Sequence, residues 1–249
     1  MLDNNDHGSL YLIPITIGDN EPLEVLPVST KAIIEKIDEY IVESEKAARR
    51  FIKKMSSGKP QSNIQFHILN KYTDDVELEK YLTSCIQGQN IALMSDAGCP
   101  GVADPGANIV ALAHQKGIRV IPLVGPSSII MALMSSGLNG QNFTFNGYLP
   151  IDKKERQKEL KKLEKRSKEL NQSQIFIETP YRNDRLMEDL VNYLNPNTLL
   201  CIACDITLIT EHVKTKPISE WKLYGSQELN KRPCVFIIQT PVKNEPHHN

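Results

Sequence analysis

Residues 95–106 read SDAGCPGVADPG, directly after the apolar run IALM (91–94). Three glycines, two prolines and two aspartates make this a tight loop at the carboxyl end of a strand. Open α/β sheets bind ligands at such ends. Glycine lets a ligand approach the backbone, and aspartate accepts hydrogen bonds from hydroxyl or ammonium groups. The plainer alternative is a turn with a capping aspartate. A Walker loop is excluded because no Gly-Lys-Ser/Thr follows, and the dinucleotide pattern G-x-G-x-x-G is missing too. A second loop, VGPSS (124–128), lies between a strand and a helix, where Ser127 could cap the helix instead of binding a ligand. With the Ile17-Gly18-Asp19 turn, these loops would gather at one sheet edge and form a cleft.

Charge marks a second kind of candidate. Segment 46–60 holds Lys46, Arg49, Arg50, Lys53, Lys54 and Lys59 with no acid, and 151–170 holds nine cations against five acids. Such patches suit an anionic partner, nucleic acid among them, although solvated helix faces have the same composition. Lys153, Lys154 and Arg156 open a helix, where the dipole prefers anions, so they are expected to bind acceptor phosphates. Asp152 and Glu155 among them moderate that argument. Cys201 and Cys204 lie in an apolar strand, where positions i and i+3 face opposite sides, which argues against a redox or zinc role. His247 and His248 have no partners at ligand spacing, so no metal is expected. Glu178 and Glu211 could act as acid or base, or could pair with Arg182 or a nearby lysine. No catalytic residue is assigned.

The elements that must hold these residues alternate. Strands are expected at 9–17, 64–69, 91–94 and 119–123, with a short apolar stretch at 40–42 and helices at 29–37, 45–55, 75–86, 107–115 and 127–134. That alternation points to βαβ units and a mainly parallel sheet. After about Val124 the pattern changes. Strands at 143–148, 174–177, 198–204, 211–216 and 235–240 with helices at 153–170 and 184–194 make a mixed, more antiparallel half. The expected domains are 1–124 and 125–243, followed by a polar tail at 244–249.

Composition sets the bounds. The 249 residues carry a formal charge of -1, with 40% hydrophobic and 24% charged residues. That is ordinary globular usage, sufficient for a sizeable core, and excludes a disordered or collagen-like chain. No apolar run approaches the ~18 residues of a membrane span. The polar start MLDNNDHGS resembles no secretory signal, and five scattered cysteines do not make a disulfide framework. A cytoplasmic location is expected.

The segments LYLIPITIGD, SDAGCPGVADPG, VGPSSIIMALMSSGL, FTFNGYLPIDKKERQKEL and IFIETPYR resemble the successive motifs of the tetrapyrrole methylase family. The branch most similar methylates a ribose 2′-oxygen of small-subunit ribosomal RNA. The resemblance runs in order from about residue 10 to 239. It implies a two-domain α/β fold, with a mainly parallel N-terminal sheet, a mixed C-terminal sheet and helices on both faces. It also implies a homodimer, an RNA substrate, and S-adenosyl-L-methionine held in a cleft between the domains. Carried over by residue, cofactor contacts fall on Ile17, on Asp96, Gly98 and Cys99, and on Ser127 and Ser128. Ile177 or Glu178 and then Ile206 and Thr207 complete that set. Arg182 joins Lys153, Lys154 and Arg156 on the acceptor side.

Departures from the family pattern fall mostly on the acceptor side. Similar enzymes carry Glu-Asp-Thr-Arg where this chain reads Glu43-Ser44-Glu45-Lys46. Their Glu-Leu-Thr-Lys and later paired glutamates are Asp205-Ile206-Thr207-Leu208 and Glu211-His212, and their Pro-His-Arg is Pro180-Tyr181-Arg182. Two other readings therefore stand beside the RNA methyltransferase: a methyltransferase acting on a tetrapyrrole or other small molecule, or a cofactor-binding homologue without methyltransferase activity.

Overall fold

The structure, a computed structural model, describes residues 7–70, 72–223 and 228–241, apart from the side chain of Asp75. The expected tail at 244–249, with His247 and His248, lies outside the described residues. Two compact units divide the chain, one running to Ser127 and the other starting at Ser128.

The first unit alternates β1 (Ser9–Ile13), α1 (Pro22–Val25), α2 (Val28–Ile34), β2 (Glu39–Val42), α3 (Glu45–Met55), β3 (Gln65–Ile68), α4 (Asp75–Tyr81), α5 (Thr83–Ile86), β4 (Ile91–Met94), α6 (Ala107–Gln115) and β5 (Arg119–Pro122). Its five strands form one sheet in the order β3-β2-β4-β1-β5, every pair parallel. Parallel sheets are covered on both faces, so their strands read as unbroken apolar runs. Here all four residues of β2 and of β4 are buried. Tyr40, Val42, Ala92 and Met94 pack in one core with Ile34 of α2 and Ala48, Phe51 and Ile52 of α3. Ile41, Ile91 and Leu93 pack in the other with Leu78, Cys85, Ile109 and Ala113 of α4, α5 and α6.

Most boundaries lie within three residues of the sequence expectation, the apolar stretch at 40–42 belongs to the strand β2, and two differences are larger. β1 ends at Ile13, not at residue 17. Pro14 cannot donate to a ladder, so 14–20 is free to turn. The helix expected at 75–86 is two short helices broken at Leu82, whose ψ is 1°.

The second unit runs α7 (Ser128–Ser136), β6 (Phe143–Tyr148), α8 (Lys153–Leu170), β7 (Ser173–Ile177), α9 (Asn183–Tyr193), β8 (Leu199–Cys204), β9 (His212–Pro217), α10 (Ile218–Leu223) and β10 (Cys234–Gln239). Its sheet order is β6-β7-β10-β8-β9, with β6–β7 parallel and the other pairs antiparallel. Because β10 runs antiparallel to both neighbours, β6, β7 and β8 point the same way and end at one edge. One face carries the core of Leu160, Leu163, Leu186, Leu190, Phe176, Phe236 and Trp221. α7 covers the other face, against β8, β9 and β10. The parallel sheet and the mixed sheet agree with the expected fold class.

Candidate functional site

In the first unit the carboxyl ends of β1, β4 and β5 are tied together. Ile15 N donates to Gly98 O at 2.9 Å, and the Cys99 thiol donates to Pro126 O at 3.3 Å. Gly98 has a φ of +67°, the left-handed region. A Cβ there would sit 3.4 Å from Pro126 O and 3.7 Å from Ile17 Cγ2. Gly125 is more constrained, since its Cβ would lie 2.2 Å from the Pro14 Cβ. Ile17, Gly98 and Cys99 are thus brought together with the 125–126 backbone. Ser127 closes this unit and Ser128 is the first residue of α7 in the other. Beside the 15–20 turn, α3 encloses a cavity of about 180 Å³ lined by Ile17, Asp19, Asp96, Arg50, Phe51 and Lys54 among others.

Negative charge collects at the same edge. Asp96 N donates to Glu43 Oε1 at 3.4 Å. Burial, followed by repulsion from Asp104 and Asp96, raises the Glu43 carboxyl above its ordinary range. Burial and Asp96 do the same to Asp104. None of these three carboxylates has an ion-pair partner among the described residues. The donor set therefore fits a ligand that brings positive charge, such as a sulfonium or an ammonium group, beside the close backbone of Gly98. Glu43 was not among the expected site residues. Its signal was positional, as the residue immediately after a buried parallel strand.

In the second unit the remaining candidates share the carboxyl edge of β6, β7 and β8. Ile177 ends β7, and Glu178 is buried behind it, accepting from Thr179 N at 2.6 Å and from the Arg182 guanidinium. Of the two roles open to Glu178, acid–base or ion pair, the structure shows the pair. Ile206 and Thr207 follow β8 in a tight loop. Asp205 and Thr207 have φ values of 52° and 73°, and Thr207 N donates to Glu211 Oε2 at 2.7 Å. Arg232 holds the loop, donating from Nε to Asp205 Oδ2 at 2.8 Å and to Thr210 O at 2.8 Å. Lys231 N bonds to Pro180 O at 3.0 Å, linking this clamp to the segment that carries Arg182.

Lys153 and Lys154 open α8 as exposed side chains, behind an Asp152 N-cap that accepts from Lys154 N and Glu155 N. Arg156 is a correction. It is buried, donates from Nε to Asp189 Oδ2 at 2.7 Å, and donates to the carbonyls of Pro150 and Ile151. Buried among these partners, it anchors the loop before α8 and is out of reach of an acceptor phosphate. Cys201 and Cys204 do not face each other; Cys204 pairs across the strands with Cys234, their sulfurs 3.1 Å apart. Among the described residues, no group of three or more His, Cys, Asp or Glu is placed to hold a metal ion.

No family model matches the chain. Ribosomal RNA small subunit methyltransferase I of Bacillus subtilis (strain 168) is 35% identical over 235 residues, covering 94% of this chain and 76% of that protein. The chain belongs to the ribosomal RNA small subunit methyltransferase I family. A relative of the same name from Synechocystis sp. is 32% identical over 93% of this chain and 78% of its own length. The Escherichia coli O157:H7 relative is 29% identical over 94% and 78%. Among solved structures, the methyltransferase CobJ superposes with a TM-score of 0.61 at 15% identity, covering 94% of this chain and all of that one. Uroporphyrin-III-C-methyltransferase from Thermus thermophilus gives 0.54 at 15% identity, over 94% and 92%. This family member therefore has the fold of the tetrapyrrole methylases.

Proposed function

We propose that this chain is an S-adenosylmethionine-dependent methyltransferase that methylates a ribose 2′-hydroxyl of small-subunit ribosomal RNA. The observation that carries the cofactor is the union of three strand ends through Ile15–Gly98 and Cys99–Pro126, beside the carboxylates Glu43, Asp96 and Asp104, which have no ion-pair partner among the described residues. Small-subunit ribosomal RNA as the acceptor is supported by the name the relatives bear, and the ribose 2′-hydroxyl by the resemblance of the sequence motifs.

The residues assigned to the cofactor are Ile17, Asp96, Gly98, Cys99 and Ser127 in the first unit, and Ser128, Ile177, Glu178, Ile206 and Thr207 in the second. Ile17 and Ile206 offer apolar surface, the Gly98 loop offers close backbone, and Asp96 offers a charged acceptor. When bound, S-adenosylmethionine supplies a methyl group on a positively charged sulfur, which is already a good leaving group. The protein then has to position the acceptor and exclude water more than it has to supply a base. Lys153, Lys154 and Arg182 are the acceptor-side residues in this reading. A homodimer and a cytoplasmic location complete it; no helix among the described residues is long and apolar enough to cross a membrane.

The test is ribosomal RNA from a strain lacking the protein, mapped for ribose methylation. One missing 2′-O-methyl group in the small subunit, restored by the purified protein with cofactor, is the expected result. An unchanged map with altered tetrapyrrole pools would replace RNA by a small-molecule acceptor. Failure to bind S-adenosylhomocysteine in calorimetry would remove the enzyme reading altogether.

A further inference from the structure

We propose that Lys46, Arg50 and Lys53 form a stripe on α3 that takes the phosphodiester backbone of the acceptor RNA, an inference that rests on the RNA reading above. Segment 46–60 carries six cations and no acid. The structure accounts for three of them. Arg49 pairs with Glu45, donates to Gln61 O at 2.7 Å and lies 4.6 Å from the Phe66 ring centre. Lys54 pairs with Asp19 at 3.2 Å and Glu21 at 3.3 Å. Lys59 is buried against Asp38 at 2.6 Å.

Lys46, Arg50 and Lys53 are exposed, and the described residues give none of them an ion-pair partner. Their spacing of four and three residues puts them on one helix face, turned away from the buried Ala48, Ile52 and Met55. At a rise of about 1.5 Å per residue, the stripe spans roughly 10 Å. The acids of this region neutralise its two flanks, Arg49 and Lys54, and leave the centre uncompensated. Lys46 also lies in the first turn of α3, where the helix dipole disfavours a cation, so helix stability does not explain it.

The stripe is also in the right place. Ser44 caps α3, accepting from Ala47 N at 3.3 Å, immediately after Glu43 at the sheet's carboxyl edge. Arg50 lines the cavity that Ile17 and Asp96 line. The middle of the stripe therefore borders the candidate cofactor loops. No large apolar side chain is exposed between its cations, so contact through it is electrostatic and reads backbone, not base sequence. That favours a polyanion over a folded protein surface, which would need apolar anchors.

The experiment compares the parent with the variant Lys46→Gln/Arg50→Gln/Lys53→Gln, measuring the affinity for a labelled single-stranded RNA oligonucleotide across a KCl series. Each lost phosphate contact lowers the log–log salt slope by roughly 0.7, so the triple variant should lose about 2 from the slope. A second variant, Lys46→Arg/Arg50→Lys/Lys53→Arg, should keep the parent slope, separating charge from any disturbance of the helix. A triple variant with the parent's slope and affinity overturns the stripe and leaves the RNA reading standing. A parent that binds RNA with no salt dependence overturns the RNA reading, and the stripe with it.

Discussion

Arg156 and Asp189 form an ion pair sealed inside the second unit, guanidinium Nε to carboxylate Oδ2 at 2.7 Å, with side-chain exposures of 3% and 5%. The pair joins the start of α8 to α9, and the carbonyls of Pro150 and Ile151 take the Nη1 donors. Removing one partner of a buried pair leaves an uncompensated charge, which costs about 3–5 kcal/mol. Arg156→Ala should therefore lower stability by that amount in chemical denaturation. Arg156→Met combined with Asp189→Leu should lose much less. Equal loss in single and double variants would show that packing, not charge, holds this junction.

Lys153 and Lys154 should behave oppositely. Both are exposed and neither has an ion-pair partner among the described residues. The double variant Lys153→Ala/Lys154→Ala should melt with the parent, because surface substitutions usually stay within about 0.5 kcal/mol. If both touch phosphates, the salt slope of RNA binding should fall by roughly 1.4. A parent-like slope would make them part of a solvated helix face.

The contrast shows where the sequence was legible. The buried positions of α8 are Arg156, Leu160, Leu163 and Ser167, spaced by four, three and four. Arg156 lies on the same stripe as the leucines that mark the core face, so its burial was readable from periodicity. Within a run of nine cations, residue type masks the one cation whose position is on the core face. The alternation of strands and helices was plain where an unbroken apolar run such as that of β4 belongs to a parallel sheet, whereas the three apolar residues 40–42 of β2 are too short a run to mark a strand by themselves. The short α1 and α10 went unseen, since four and six residues carry too little periodicity. The glycine loops were found by composition. Glu43 and the Arg232 clamp on Asp205 were not, because each depends on a partner distant in sequence: 53 residues for Glu43–Asp96 and 27 for Arg232–Asp205.

Gly125 tests the backbone of the site. A side chain there meets Pro14 Cβ at 2.2 Å and Pro14 Cγ at 2.6 Å, and a proline ring cannot rotate away. Gly125→Ala should displace the first turn or the 124–128 loop and destabilise by about 1–3 kcal/mol, the usual cost of overpacking. Gly58→Ala is the control, with nothing within 4 Å of the added carbon. A Gly125→Ala variant that melts with the parent would mean the two loops are not packed as described.

The carboxylates at the first unit's edge link cofactor binding to pH. Burial raises both Glu43 and Asp104, with repulsion from Asp104 and Asp96 adding at Glu43 and from Asp96 at Asp104, so each holds its proton above the ordinary carboxylate range. In the free protein, stability is greatest below that range and falls as pH rises through the raised values, because the folded state binds more protons than the unfolded one. A cationic ligand beside them favours the ionised forms and releases protons. Affinity for S-adenosylmethionine should therefore climb with pH from the ordinary carboxylate range to just above it and then level off. S-adenosylhomocysteine has no sulfonium charge and should show a flatter profile. Asp96→Asn removes a nearby charge, which should lower the Glu43 and Asp104 values and shift the climb to lower pH. Calorimetry of both ligands across that window checks the prediction, and superimposable pH profiles would place the sulfonium away from these carboxylates.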